Sequence, residues 1–276
     1  MAGQLQAASR ESLAEAQARL DTRVDAASAT ELSTLGEQLF AVARLLQAEI
    51  QLRRHLADSS VPAGSRTALA DQLFAGKLDR PALDTLSDLV SGRWSRPVDL
   101  VGAVEELARR ATLGVAEKDG TLERVEDELF RFGRVLNRES ELSTLLGDQA
   151  ADADRRVSLL SQLLDGKATP VTLTLLEQAV RNPRGRALEA TAEELAELAA
   201  ARRDRYVAHV ATPVALTPAQ EQRLTDSLSR LYGRQMSLQI EQDATLLGGL
   251  VVRVGGEVID GSVATRLSAA KRALPK

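Results

Sequence analysis

The residues that could do chemistry are few. The chain has no cysteine and only two histidines, His55 and His209. Thiolate metal sites, disulfides and cysteine nucleophiles are therefore excluded, and two distant imidazoles cannot build a histidine cage. Neither histidine sits in an ExxH or HExxH pattern, so each reads as a surface or interface residue. Gly76-Lys77 and Gly166-Lys167 lack both the upstream glycine and the following Ser/Thr of a phosphate loop, and read as helix ends with a solvated lysine. Gly255-Gly256 follows a strand, as a dinucleotide loop does. A second short strand follows it instead of a helix, so no helix N-terminus faces a phosphate there. Carboxylates cluster at Glu123–Glu128 and Glu193–Glu197 among arginines, the pattern of ion-paired helix faces rather than of acid–base catalysis. Trp94, the single tryptophan, lies in a turn between two helices. Core packing is its preferred role and a contact anchor the alternative. No cofactor and no metal site is expected.

Composition narrows the class of protein that must carry these residues. The formal net charge of -4 on 276 residues argues against nucleic-acid binding. Aromatic residues make up 3% of the chain, which disfavours sandwiches and barrels and favours helices built from Ala, Leu, Glu, Gln and Arg. The longest apolar run, Leu246–Val252, is far short of the roughly 20 residues of a membrane span. The first twenty residues lack an apolar signal core and carry Glu11 and Glu15. No membrane insertion is expected.

An internal repeat organises most of the chain. Shifted by 90 residues, Glu37–Val90 aligns without a gap onto Asp127–Val180. Identical pairs include Leu39/Leu129, Phe40/Phe130, Arg44/Arg134, Leu56/Leu146, Asp58/Asp148, Arg66/Arg156, Gln72/Gln162 and Gly76/Gly166. Both copies have helical periodicity: Leu35, Leu39, Val42 and Leu46 in the first, Val125, Leu129, Phe132 and Leu136 in the second. Copy one has an additional first helix, about Ser9–Ala27, with Leu13, Ala16, Leu20 and Val24 on one stripe. A long helix through Val101, Val104, Ala108, Ala111 and Val115 runs towards Lys118. Copy two starts its next helix near Thr121, so the long helix is expected to close the first bundle and open the second.

The pattern changes near Tyr206. Tyr206–Ala211 has strand composition, and Thr217-Pro218-Ala219-Gln220 is a capped helix start for a helix ending at Gly233. Met236, Leu238 and Ile240 alternate as in a half-buried strand. Leu250–Val254 and Glu257–Ile259 flank a glycine turn, and Asp260-Gly261-Ser262 leads into a last helix with Val263, Leu267, Ala270 and Leu274 on one face. The expected fold is mainly α: a bundle over residues 1–118, its second copy over 119–204, and a small α/β module over 205–276.

The run Leu246–Leu274 resembles the C-terminal signature of the δ-subunit family of F-type ATP synthases, whose mitochondrial relative is the oligomycin-sensitivity-conferring protein. The signature positions are Gly248, Gly249, Gly255, Asp260, Gly261 and Ser262. Ser9–Ala16 resembles the family's first helix, and Gly92-Arg93 the turn before its last bundle helix. Gln242 departs from the usual apolar residue. The doubled bundle departs from the ordinary single one and looks like the actinobacterial branch. Some relatives carry a fused, membrane-anchored b segment, which is not seen here.

The resemblance implies a non-catalytic stator subunit, peripheral on the cytoplasmic face of the cell membrane. Its bundle would grip the N-termini of α subunits, and its C-terminal module would hold the C-terminus of the b subunit. The implied α groove lies between the first helix and the helix of Leu83, Leu86 and Leu89, with Leu13, Ala16, Leu20 and Val24 opposite. A helical scaffold unrelated to ATP synthesis is the competing reading. Isothermal titration with Mg-ATP is expected to give no saturable heat, because no phosphate loop is present; micromolar binding at one site would contradict this.

Overall fold

The computed structural model describes residues 5–204, 207–232, 236–243, 245–254, 257–263 and 265. By its internal contacts the chain divides into two compact units, Met1–Ala199 and Ala200–Lys276.

The first unit is helical. Copy one contributes α1 (Ala7–Ala26), α2 (Ala29–Ala48), α3 (Ile50–Ala57), α4 (Ala63–Phe74) and α5 (Arg80–Ser91). The long helix α6 (Pro97–Lys118) follows, then α7 (Leu122–Arg138), α8 (Ser140–Gly147), α9 (Ala153–Leu164), α10 (Pro170–Arg181) and α11 (Leu188–Asp204). The sequence repeat is matched by a repeat of element boundaries. Helices α3, α4 and α5 begin and end 90 residues before α8, α9 and α10. The same local chemistry recurs at each pair of positions. Asp58 Oδ1 accepts the Ser60 N–H at 2.9 Å, and Asp148 Oδ1 accepts the Ala150 N–H at 2.9 Å. Gly76 and Gly166 both end a helix region with positive φ, 75° and 64°, which glycine adopts without a side-chain clash.

A buried arginine caps the fifth helix of each copy. Arg66 Nη1 donates to the carbonyls of Val90 at 2.6 Å and Gly92 at 2.8 Å; Arg156 Nη1 donates to Val180 at 2.7 Å. The last carbonyls of a helix have no partner within it, and a cation there is doubly favourable.

The repeat also extends further than residues 37–90. Helix α1 starts 90 residues before α6, and Glu15/Glu105, Ala18/Ala108, Arg19/Arg109 and Thr22/Thr112 are identical. Helix α6 is therefore the sixth helix of copy one and the first of copy two. It packs against α1, α2, α3 and α5 on one side and against α7 and α10 on the other. As a result it is buried on nearly every face, charged residues included: Asp99, Glu105, Glu106 and Arg109 are all buried. A single apolar core runs from Leu5 through α6 to Ala199.

The charges on α6 are paired. Arg109 Nη2 donates to Glu105 Oε1 at 2.5 Å, and Arg184 Nη1 donates to Glu105 Oε2 at 2.9 Å. Arg186 lies 2.5 Å from Glu194 and Arg109 lies 3.5 Å from it. Burial acts to raise the Glu194 pKa, but Arg109 and Arg186 outweigh it and hold the carboxyl below its ordinary value. Arg184 adopts a left-handed backbone, φ 51°, in the turn that aims it at Glu105.

The second unit contains β1 (Val207–Thr212), α12 (Pro218–Tyr232), β2 (Ser237–Gln242), β3 (Val251–Val254) and β4 (Glu257–Asp260). The sheet order is β2-β1-β3-β4. Strands β1 and β2 are parallel, with α12 as the crossover, and the β1–β3 and β3–β4 pairs are antiparallel. The expected capping box is present: Gln220 Oε1 accepts the Thr217 N–H at 2.8 Å, and Thr217 Oγ1 accepts the Gln220 N–H at 3.4 Å. Leu228 and Met236 pack with Ala208, Val210, Val252 and Val254 into a small separate core. Gly233, the Gly255-Gly256 turn and the last helix beyond Thr265 lie outside the described residues.

Helices α2 and α6 cross closely at Gly36. A Cβ built there would stand 2.5 Å from Thr112 Oγ1, the hydroxyl that bonds the Ala108 carbonyl at 3.0 Å. Gly36→Leu is expected to destabilise by about 1–3 kcal/mol, read as a fall in melting temperature. An unchanged melt would show that α2 can move off α6 at no cost.

Candidate functional site

The signature residues of the second unit come together as a backbone clasp. Gly249 has φ 81°, a left-handed angle that β-branched residues resist. A Cβ there would fall directly on the Gly261 carbonyl oxygen and 2.9 Å from Ser262 Cα. The two stretches are joined by hydrogen bonds: the Gly261 N–H donates to Leu250 O at 3.0 Å, and the Val263 N–H donates to Gly248 O at 2.9 Å.

Asp260 and Ser262 order the turn between them. Asp260 Oδ1 accepts the Ser262 N–H at 2.9 Å, and Oδ2 accepts the Thr265 hydroxyl at 2.7 Å. Bonds from the Thr265 and Ser262 hydroxyls and the Ser262 N–H hold the Asp260 carboxyl below its ordinary pKa. Ser262 Oγ in turn accepts the Thr265 N–H at 3.3 Å, as an N-cap does for the helical turn beginning at Val263. The Asp260 and Ser262 side chains thus order the turn after β4, and two backbone bonds tie that turn to the residues before β3. Gly255, the remaining signature position, lies outside the described residues.

The residues of the candidate groove on copy one meet at the seam between α1 and α5. Leu13, Ala16, Leu20 and Val24 of α1 and Leu86 and Leu89 of α5 are buried in the core, and Leu83 is half-buried. They form a packed seam between α1 and α5, so they are not free to line a groove. An amphipathic helix buries its apolar stripe in its own bundle first, and that is where these side chains went. What the seam offers outward is its polar rim. Arg19 and Arg23 bond the two oxygens of Asp88 at 3.0 and 2.5 Å, and Glu15 pairs with Arg19 at 3.7 Å.

Copy two has the corresponding seam between α6 and α10, and there the rim is occupied. Gln178, the counterpart of Asp88, accepts a 2.6 Å hydrogen bond from Arg44 of α2. A side chain of α2 thus reaches the copy-two seam at this point, whereas the counterpart Asp88 is met by Arg19 and Arg23 of α1. Sequence reasoning missed this asymmetry. Its signal was the full burial that α6 must have once it serves two bundles.

The other singled-out residues are structural. Trp94 is buried and its Nε1 donates to Leu89 O at 2.8 Å. His55 and His209 are exposed. Lys77 and Lys167 are exposed and follow the positive-φ glycines. Among the described residues, no group of three or more His, Cys, Asp or Glu is placed to hold a metal ion.

Comparison with known proteins gives consistent matches. The family described as ATP synthase delta (OSCP) subunit matches residues 108–274. The match begins within α6, so it spans copy two and the C-terminal module and leaves copy one unmatched. The ATP synthase subunit delta of Streptomyces griseus is 47% identical over 97% of this chain and 98% of its own length. That of Streptomyces avermitilis is 48% identical over 96% and 97%, and that of a Parafrankia species 46% identical over 99% and 100%. These relatives therefore extend over copy one as well. A chain of the Toxoplasma gondii mitochondrial ATP synthase hexamer aligns with 61% of this chain and 96% of its own at 25% identity, with a TM-score of 0.34, a likeness too loose to support a structural argument.

Gly249→Val is expected to destabilise the second unit by roughly 1–3 kcal/mol, because it combines a strained φ with a clash against backbone. Thermal melting of the full chain checks this; a Gly249→Val melt matching the parent would remove the constraint.

Proposed function

The chain belongs to the ATP synthase delta (OSCP) subunit family, and from that premise we propose that it is a non-catalytic stator subunit of an F-type proton-translocating ATP synthase. It links the N-termini of the α subunits, at the top of the catalytic α/β head, to the C-terminus of the b subunit in the peripheral stalk. It holds the head against the torque of the rotor. Its place is peripheral, on the cytoplasmic face of the bacterial cell membrane. Among the described residues, no helix is long and apolar enough to cross a membrane. It binds no nucleotide and no nucleic acid.

The observation that carries this reading is the shared helix α6. A torque-bearing connector needs elements that cannot swing against each other, and a helix buried in two bundles at once leaves no hinge between them. Residues 1–118 and 119–204 then act as one rigid arm, and residues 205–276 as a second grip with its own core. The seat for an α N-terminal helix is the outer rim of the α1–α5 seam, since at the α6–α10 seam Gln178 is already taken by Arg44 of α2. Membership of the family speaks against a free-standing scaffold.

The two grips can be separated at residue 204, where α11 ends. Fragment 1–204 is expected to bind a synthetic α N-terminal peptide within about twofold of the full chain and to lose the b subunit. Fragment 205–276 should do the reverse. Pull-downs with both partners check this, and b retained by 1–204 would mean the two ends are assigned the wrong way round.

A further inference from the structure

The end of α5 is held differently from the end of its counterpart α10. Arg66 of α4 is buried and reaches three successive carbonyls there. Nη1 donates to Val90 O at 2.6 Å and to Gly92 O at 2.8 Å, and Nη2 donates to Ser91 O at 3.3 Å. Its Nε donates to Val61 O at 3.2 Å. The residues that follow are gripped by α1. Ser12 Oγ accepts the Arg93 N–H at 2.8 Å and donates to Arg93 O at 3.0 Å, and Ser9 Oγ accepts the Ser95 N–H at 2.9 Å. Gly92 lets the two elements approach, since a Cβ there would stand 2.9 Å from Ser12 Cβ. One guanidinium therefore fixes the end of α5, and α1 fixes the turn that leaves it.

Copy two keeps the arginine and lacks the clasp. Arg156 Nη1 donates to Val180 O at 2.7 Å and to Leu146 O at 3.2 Å, while its buried Nε has no hydrogen-bond partner. The counterparts of Ser9 and Ser12 are Asp99 and Gly102. Gly102 has no side chain, and Asp99 is bonded to Ser9 and Arg96, so neither holds the turn after α10. The same buried arginine thus has a seam to register in copy one and none in copy two. We propose that Arg66 is a positioning residue for partner binding at the α1–α5 rim. It is buried and meets no partner itself. It sets where α5 ends and, through the Gly92–Arg93 turn, how α1 lies against α5. Further along the seam Arg19 and Arg23 bond Asp88, so the rim is held at two levels before a partner arrives. A seat already in its bound geometry costs less to occupy. The identity of that partner as an α N-terminal helix rests on the stator reading; the positioning role rests on the bonds of Arg66, Ser9 and Ser12.

The repeat supplies a matched control. A lysine keeps the charge, but a single ammonium cannot replace the guanidinium fork, so Arg66→Lys and Arg156→Lys each weaken one buried cap. Titration of the full chain with a synthetic α N-terminal peptide is expected to show about tenfold weaker binding for Arg66→Lys, and binding within about twofold of the parent for Arg156→Lys. Gly92→Ala, which leaves Arg66 in place and presses on Ser12, should follow Arg66→Lys. Amide hydrogen exchange reads the clasp without a partner. The Arg93 and Ser95 N–H groups should exchange faster in Arg66→Lys and at the parent rate in Arg156→Lys, with the amides of α2 unchanged in both. Parent-like affinity in Arg66→Lys or in Gly92→Ala would overturn the proposal. So would an equal loss in Arg156→Lys, which would make the effect one of general stability. A parent chain that does not bind the peptide would defeat the stator reading instead, and unchanged exchange at Arg93 and Ser95 would then still defeat the positioning role.

Discussion

Helix α6 must satisfy two bundles at once, and much of the first unit follows from that demand. A helix on the outside of a bundle needs one apolar stripe. A helix shared by two bundles has no outside, so the charges at Asp99, Glu105, Glu106 and Arg109 are carried inward with it. Taking a charge out of water costs several kcal/mol unless it is paired and hydrogen-bonded. The chain meets the demand from both copies: Ser9 of α1 donates to Asp99, Arg184 reaches Glu105, and Arg109 spans Glu105 and Glu194. These bonds are local to the junction, so the residues that neutralise α6 are also those that lock the copies together. The left-handed Arg184 fits this pattern, because a strained backbone persists only where surrounding contacts over-determine it.

The repeat shows how one residue type changes role with its surroundings. Glu15 and Arg19 on α1 form a loose pair at 3.7 Å on the surface, and Glu105 and Arg109 form the same pair at 2.5 Å in the interior. Exposed pairs contribute little, since water screens both partners. The interior pair is different in kind: Glu105 also meets Arg184 and Arg109 also meets Glu194, so losing either member strips one of two partners from a buried charge. The same pair of residues is thus a surface contact in copy one and part of a buried network at the junction. The same logic separates Phe40, which is covered, from Phe130, which is not.

Much of this architecture was legible from spacing. The 90-residue repeat and the apolar stripes located α1, α2, α4–α7, α9 and α10, and the Thr217 cap located α12. The short helices α3 and α8 were not resolved. They are eight residues long, too short for periodicity to register, and they are set off by the kinked Glu49 and Glu139 rather than by glycine or proline. Which residues of the α1–α5 seam face outward was not legible, for a physical reason as well. An apolar stripe such as Leu13-Ala16-Leu20-Val24 announces only that a face will be buried, and its own bundle is the nearest place to bury it. Sequence pattern does not say which of two partners covers a stripe; that depends on packing of α2 and α10 residues more than a hundred positions apart. Trp94 went the other way, because a lone aromatic in a tight turn has few alternatives to the core.

The described residues of the signature serve the local fold. Gly249 leaves room for a backbone approach, Asp260 and Ser262 order a turn, and the Gly248 carbonyl accepts the Val263 N–H that opens the helical turn. The Asp260 carboxylate and the Ser262 hydroxyl of the described motif are bonded within the turn, fixing where a strand ends and a helical turn begins. The central helix of the first unit follows the same rule, with its charges committed to one another. On the proposed stator reading geometry is the product, and the most constrained residues are those that prevent elements from shifting. Function in this chain therefore lies at its surfaces, and the distinctive residues inside serve to hold those surfaces in place.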